Sequence, residues 1–242
     1  RAIDRLRREQ TARRFSPQAA VPVLVSSAEP LDDDELRLIF LCCHPALSMQ
    51  ARVALTLRIV GGLTVAEIAH AFLVQETTMG QRISRAKAKI RAARIPYRVP
   101  EAEDLPARMA GVLAVLYLIF NEGYLASSAQ SDPIRRDLTG EAIRLTRLVR
   151  DLLPPASAGR GEATGLLALM LLTEARATAR ISAGGELVRL DEQDRGSWDR
   201  DLIAEGMTLV AERAAAVGRD GDRPGRYALL AGINAVHVSA RH

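Results

Sequence analysis

Apolar residues along most of this chain recur every three or four positions, the spacing of one helix face, and no run of strict alternation long enough for a sheet interrupts them. Ala2, Ile3 and Leu6 form a short stripe with Arg1, Arg5, Arg7 and Arg8 around it. Residues 15–31, with three prolines and a Ser-Ser pair, then read as a linker. A helix is expected from about Asp33 to Cys43, with Asp32 and Glu35 as a capping box and Pro45 as its stop. Ser48 caps a second helix that reaches Val60, and Gly61-Gly62 closes it. Thr64 and Glu67 form another capping box, opening a short helix to about Phe72. Leu73-Val74-Gln75 is the turn, and Thr77 or Thr78 opens a longer helix to about Ala93. These four helices make a compact bundle ending in a helix-turn-helix.

Past Pro96, Pro100 and Pro106 the pattern predicts helices near 107–121, 134–153, 162–181, 198–217 and 226–240. Their spacing suggests stacked antiparallel hairpins, as in a helical-repeat domain. Leu187 to Leu190 has an extended look, but one short segment makes no sheet. The fold class is therefore all-α: a four-helix bundle over 32–98 and an all-helical domain over 101–242.

Composition agrees with that reading. Leu, Ala, Ile and Val carry the packing, because aromatics are only 4% of a chain that is 48% apolar. Two adjacent cysteines, Cys42 and Cys43, cannot build a disulfide framework, so a reducing, cytoplasmic setting is expected. The longest apolar run, Met109 to Phe120, is shorter than the roughly 20 residues a bilayer requires, so no membrane partner is expected. The chain opens at Arg1, inside a helix already under way, and a preceding segment is expected.

Charge changes the picture more. Residues 1–100 hold 16 basic and 9 acidic side chains, and residues 101–242 hold 17 and 20. The excess concentrates between Gln81 and Arg98, where Arg82, Arg85, Lys87, Lys89, Arg91, Arg94 and Arg98 meet no acidic residue. That run lies on the second helix of the helix-turn-helix. Leu63, Ile68, Ala69, Phe72, Val74, Ile83, Ala86 and Ile90 supply its buried side, leaving the opposite face to read a major groove. Gln81 and Arg85 sit four apart on that face, and their side chains make bidentate hydrogen bonds to adenine and guanine.

The stretch from Gly62 to Arg91, GLTVAEIAHAFLVQETTMGQRISRAKAKIR, resembles region 4 of bacterial sigma-70 family factors, and specifically the extracytoplasmic function (ECF) group, whose pattern is G-L-[ST]-x-x-E-I-A, a turn, then T-[VM]-x-x-R-[LI]-x-R-A-[RK]. Residues 1–14 are similar to the end of region 2, with 15–31 as the linker and 32–98 as region 4. Tyr117 to Tyr124, Leu166 to Leu172 and Gly185 to Arg195 look like the C-terminal, tetratricopeptide-like extension of one ECF subgroup, which would occupy 101–242 and continue beyond it. The resemblance implies a promoter-specificity subunit. Its partners would be double-stranded DNA at the −35 element, RNA polymerase core through the β-flap and β′, and an anti-sigma or other regulatory protein. Carried over by position, Gly80, Gln81, Ser84 and Arg85 would face bases, with Thr78, Arg82, Lys87, Lys89 and Arg91 on phosphates. Two positions depart from the family: Leu73 replaces a turn Gly, and Gly80 replaces a basic or polar side chain.

No catalytic residue, metal or cofactor is called for, and an enzyme is not expected. Cys42-Cys43-His44 lacks the three or four ligands of a zinc site and reads as buried apolar cysteines. Asn121-Glu122-Gly123-Tyr124 reads as a helix end with Gly after the cap. The acidic residues from Asp191 to Glu205 lack the alternate-position ligands of a calcium loop, and Trp198 is expected to anchor them. A further reading has this acidic body masking the basic helix. The alternative to a sigma factor is an all-helical one-component regulator that senses a ligand through its C-terminal domain. An enzyme would have only Glu122, Tyr124 and His237 to work with.

Overall fold

A computed structural model describes residues 31–101, 103–124, 136–155, 157–182, 184, 186–220 and 224–240. The expected tail of region 2 and nearly all of the linker fall on residues 1–30, outside the described ones. Nine α-helices stand among the described residues: α1 Leu31–Cys42, α2 Met49–Leu55, α3 Val65–Ala71, α4 Glu76–Ala92, α5 Leu105–Tyr124, α6 Arg136–Leu152, α7 Ala158–Glu174, α8 Arg200–Asp220 and α9 Arg226–Ser239. The all-α class holds, and the extended look of 187–190 amounts to one isolated bridge, Ile181 to Leu187.

Local signals set most helix starts. The Ser48 side chain accepts from the Ala51 amide at 3.3 Å. Thr64 and Glu67 complete a reciprocal capping box, with Thr64 N donating to Glu67 Oε2 at 2.6 Å and Glu67 N to Thr64 Oγ1 at 3.2 Å. Three expectations are corrected. First, α1 is already helical at Leu31, so Asp32 lies inside it rather than capping it. Second, α4 opens at Glu76 behind Gln75, which makes no side-chain cap, and Thr77 and Thr78 fall in its first turn. Third, α5 runs through Gly123 to Tyr124, so Gly123 is a buried helical residue and not the residue after a cap.

The end of α2 was also not foreseen. Thr56–Val60 winds as a π-turn, in which the Gly61 amide reaches back to Thr56 O at 2.9 Å, and Gly62 leaves the helix at φ 71°.

Beyond residue 100 the helices gather around α7. Leu166, Leu167, Ala168, Met170, Leu171 and Leu172 are buried on all sides of it, as expected of a helix enclosed by others. α5, α6, α8 and α9 all pack on it. Gly165 permits the closest of these approaches, since a Cβ there would stand 2.6 Å from the Ala228 amide nitrogen of α9. The stacked hairpins expected over this region thus close around a central helix. α5, at 20 residues, is long and apolar enough to cross a membrane by length and composition. Met109, Val112, Leu113, Val115, Leu116, Ile119 and Phe120 are instead buried in the core.

That core is continuous between the two halves. α1 and α2 rest on α5 and α6. Arg108 of α5 donates to Phe40 O at 2.8 Å, closing the C-terminal end of α1, and Tyr97 Oη donates to Asp34 O at 2.9 Å. Cys42 and Cys43 lie buried at this junction. Burial pushes both thiols up, Cys43 to about 11, so neither is a thiolate at neutral pH. Burial and the nearby Arg108 and Arg52 lower the His44 pKa, and its Nδ1 accepts from the Ala46 amide at 3.1 Å. Among the described residues no three His, Cys, Asp or Glu side chains converge as a metal site would require.

Candidate nucleic-acid interface

α3 and α4 form the helix-turn-helix, and their buried sides are Ile68, Ala69 and Ala71 against Met79, Ile83 and Ala86. The turn between them is a Schellman closure. Val74 N donates to Ala69 O at 3.0 Å and Leu73 N to His70 O at 3.3 Å, which requires a left-handed residue at 73. Leu73 takes that conformation, φ 50°, with its side chain 66% exposed. The departure from glycine therefore leaves the turn intact and loads it with backbone strain. Arg94 closes α4 in the same way, at φ 48° with Ile95 N donating to Ile90 O at 3.1 Å.

With Met79, Ile83 and Ala86 inward, helical spacing turns Thr77, Thr78, Gln81, Ser84, Arg85 and Ala88 outward, and all six are exposed. Gln81 and Arg85 are one turn apart, about 6 Å along the axis at 1.5 Å per residue, a reach matching two neighbouring base-pair steps. Gly80 and Arg82 are half-buried at the margin of this face; Lys87, Lys89 and Arg91 are exposed along its flanks. A Cβ at Gly80 would meet only Val65 Cγ1, at 3.9 Å, so the fold itself does not require glycine there. Thr78 sits in the first turn of α4, where free amides favour an anion.

No side-chain hydrogen bond or ion pair engages Gln81, Arg82, Ser84, Arg85, Lys87, Lys89 or Arg91 among the described residues. Arg98, counted in the same basic run, is different: it pairs with Glu101 at 2.8 Å. Among the described residues, α4 packs chiefly on α2 and α3. The described helices of the C-terminal body pack on α1 and α2, and its acidic residues from Asp191 to Asp199 are not seen against the basic helix among the described residues. Those acidic residues are used locally: Asp194 Oδ1 accepts from Gly196 N at 2.8 Å, and Asp199 Oδ1 caps α8 through Asp201 N and Leu202 N, both at 3.0 Å. Trp198, 4% exposed, anchors the loop between them.

The residues named as enzyme candidates do not converge. Tyr124 stacks on Phe120 and carries Arg180 over its ring, while His237 lies exposed in the last turn of α9. A largely apolar cavity of about 280 Å³ lies elsewhere, between α7, α8 and α9, lined by Ala168, Leu209, Val210, Arg213, Ala214 and Ala231.

Two family models match separate stretches of the chain. Residues 37–90 match the family described as Sigma-70, region 4, and residues 108–214 match a family of unknown function, DUF6596. An uncharacterized protein of Rhizobium meliloti (strain 1021) is 42% identical over 247 aligned positions. That alignment covers 98% of this chain and 56% of the relative, so the chain spans little more than half of the relative's length. No solved structure matches. The region 4 match covers α2, α3, the turn after it and α4 to residue 90, together with the second half of α1.

Proposed function

We propose that this chain is part of an ECF-group sigma factor in which α4 reads a −35 promoter element from the major groove. Gln81 and Arg85, with Ser84 and the open backbone at Gly80, face base edges; Thr78, Arg82, Lys87, Lys89 and Arg91 hold phosphates and set the register. The same bundle contacts the β-flap and β′ of the polymerase core. The helical body is a tetratricopeptide-like extension that regulates the factor or binds a partner, an anti-sigma protein among the candidates. The factor works in the cytoplasm and is not itself an enzyme. RNA synthesis belongs to the polymerase.

The observation that carries this reading is the face of α4, where cations and an amide side chain stand exposed with no side-chain partner among the described residues. Such a face is self-repulsive until a polyanion neutralises it.

The test is selection of duplexes from a random library by the full chain, followed by competition binding with Gln81→Ala/Arg85→Ala. Each bidentate base contact contributes about 1–3 kcal/mol of discrimination, so the double variant should bind selected and scrambled duplexes nearly alike. An equal loss of affinity on every duplex, with discrimination retained, would show that these two side chains do not read bases. A one-component regulator remains the second reading because of the cavity between α7, α8 and α9. It requires a dimer on a two-fold site, whereas a sigma factor binds its element as a single copy together with core polymerase.

A further inference from the structure

α9 packs on α7 along one side, where Tyr227, Ala231 and Ala235 are buried, and it touches α8 over a smaller contact. Its opposite side carries Leu229, Ile233 and Val236, which are 56, 55 and 68% exposed. Spacings of four and three put these side chains on one helix face. Large apolar residues exposed singly call for no explanation, and Met49, Leu73, Leu118 and Leu187 are of that kind. Three in register on one helix are different: they form the stripe that a helix presents to another helix.

The stripe leads into the cavity between α7, α8 and α9. Ala228, Gly232 and Val236 follow one row of i, i+4 neighbours along α9, and Ala228 and Gly232 both line that cavity. Gly232 has no side chain to separate cavity from stripe, and a Cβ there would meet nothing within 4 Å. The groove between α8 and α9 therefore runs from an apolar rim, over bare backbone, into an apolar socket of about 280 Å³ bounded by Ala168, Leu209 and Ala231.

An apolar stripe beside a socket is how a groove holds an amphipathic helix, whose anchors recur at i, i+3 or i+4, and i+7. Charge narrows the choice: no acidic residue occurs from Pro224 to Ala240, while Arg226 and His237 stand exposed at the margin of the stripe. A helix with acidic or neutral margins fits. Length points to where that helix comes from. α9 ends at Ser239, close to the last residue of the sequence, His242, and nearly half of the relative's length lies outside its alignment with this chain. Helix–helix connections take about 2–8 residues, so a chain that continues past His242 turns back antiparallel along α9. The tether also holds such a helix at a high effective concentration, which a separate molecule lacks. We propose that the groove of α8 and α9 seats a helix from the segment that follows residue 242 in the longer protein, and that this helix inserts a large apolar side chain over Gly232 into the cavity. The cavity is then a packing socket rather than a chamber for a metabolite, whatever α4 binds.

The test is thiol labelling of the full-length gene product and of the same product ended after residue 242. Ile233→Cys and Val236→Cys each place a reactive thiol on the stripe; Cys42 and Cys43 are buried, and each unsubstituted form serves as the blank. With a maleimide, both sites should label at least about tenfold more slowly in the full-length protein than in the shortened one, because labelling there waits for the helix to open. Ala88→Cys, on the exposed face of α4, should label equally fast in both. Gly232→Phe fills the socket and should restore fast labelling at residue 236 of the full-length protein; retained protection in a folded Gly232→Phe protein overturns the insertion. Should that variant fail to fold, the comparison of the two lengths decides. Fast labelling in both forms overturns the proposal and leaves the stripe to a separate partner. Slow labelling in both also overturns it, and relief on dilution would identify a second copy as the occupant. A reading frame that ends at residue 242 overturns it outright.

Discussion

In the helical body Arg147 meets Glu205 at 2.7 Å, Arg150 meets Glu212 at 2.8 Å, and Arg144 meets Glu141 at 2.8 Å. Arg160 donates to the carbonyls of Arg150 and Leu153, at 2.6 and 2.9 Å. Along α4, Arg82, Arg85 and Arg91 meet no partner among the described residues. The same side chain thus joins helices in one region and stands idle in another. Counting arginines would not separate the two cases. What separates them is whether a carboxylate from another element lies within reach, and the sequence supplies none along α4 itself, since the 24 positions between Glu76 and Glu101 hold no acidic residue.

The comparison can be broken most severely at the junction. Phe40→Ala opens a cavity in the core shared by α1 and α5 and should cost about 3–5 kcal/mol. Because that core is continuous, a single transition should move down in temperature by calorimetry. A split into two transitions would mean that the halves are energetically separate. A smaller effect sets the two kinds of arginine and lysine against each other. Lys87→Ala should reduce the slope of log affinity against log salt by about one while leaving stability unchanged. Arg147→Ala should do the reverse, with a loss of about 1 kcal/mol or less on melting and no change on DNA.

Backbone strain sharpens the contrast further. Leu73→Gly should relieve the left-handed turn and, after the entropy that glycine adds to the unfolded chain, stabilise by about 1 kcal/mol or less. Gly80→Ala should stabilise α4 by about 1 kcal/mol in thermal melts and weaken DNA binding, since within the protein the added methyl makes only an ordinary contact with Val65 Cγ1, at 3.9 Å, and a bound duplex is what would object to it. Unaltered DNA binding in Gly80→Ala would remove Gly80 from the reading face. The smallest effect belongs to Glu174, whose pKa burial raises. A raised carboxyl favours the folded state below its unfolded pKa and loses that contribution as pH climbs through the folded value. Glu174→Gln should therefore raise the melting temperature slightly at pH 7 and not at pH 4.

Much of the half that resembles sigma-70 region 4 was legible in the sequence, because short-range chemistry governs it. The Thr64–Glu67 box, the Ser48 cap and the alternation of Met79, Ile83 and Ala86 with Gln81 and Arg85 all act within one or two helical turns. The all-α class was legible for the same reason. Other features depend on partners distant in the chain. Arg108 closing α1 at Phe40 spans 68 positions, and the approach of α9 to Gly165 spans about 60, so no local pattern could announce either. The start of α4 was placed late because threonines signal caps, yet Gln75 enters the helix without one. Leu73 was visible as a departure from glycine, but only the φ angle shows that the turn kept its geometry and accepted the strain.

The Arg108 to Phe40 bond and the core beneath it have a mechanical consequence. A helix lodged in a major groove fixes the azimuth of its protein around the duplex, and B-DNA repeats that azimuth every 10 to 10.5 base pairs. Because α1 and α2 join α4 to the helical body through one packed interior, the body would ride at a set angular phase and height beside the promoter. Anything seated on it would be delivered to one side of the double helix, as by a gnomon rather than by a tether.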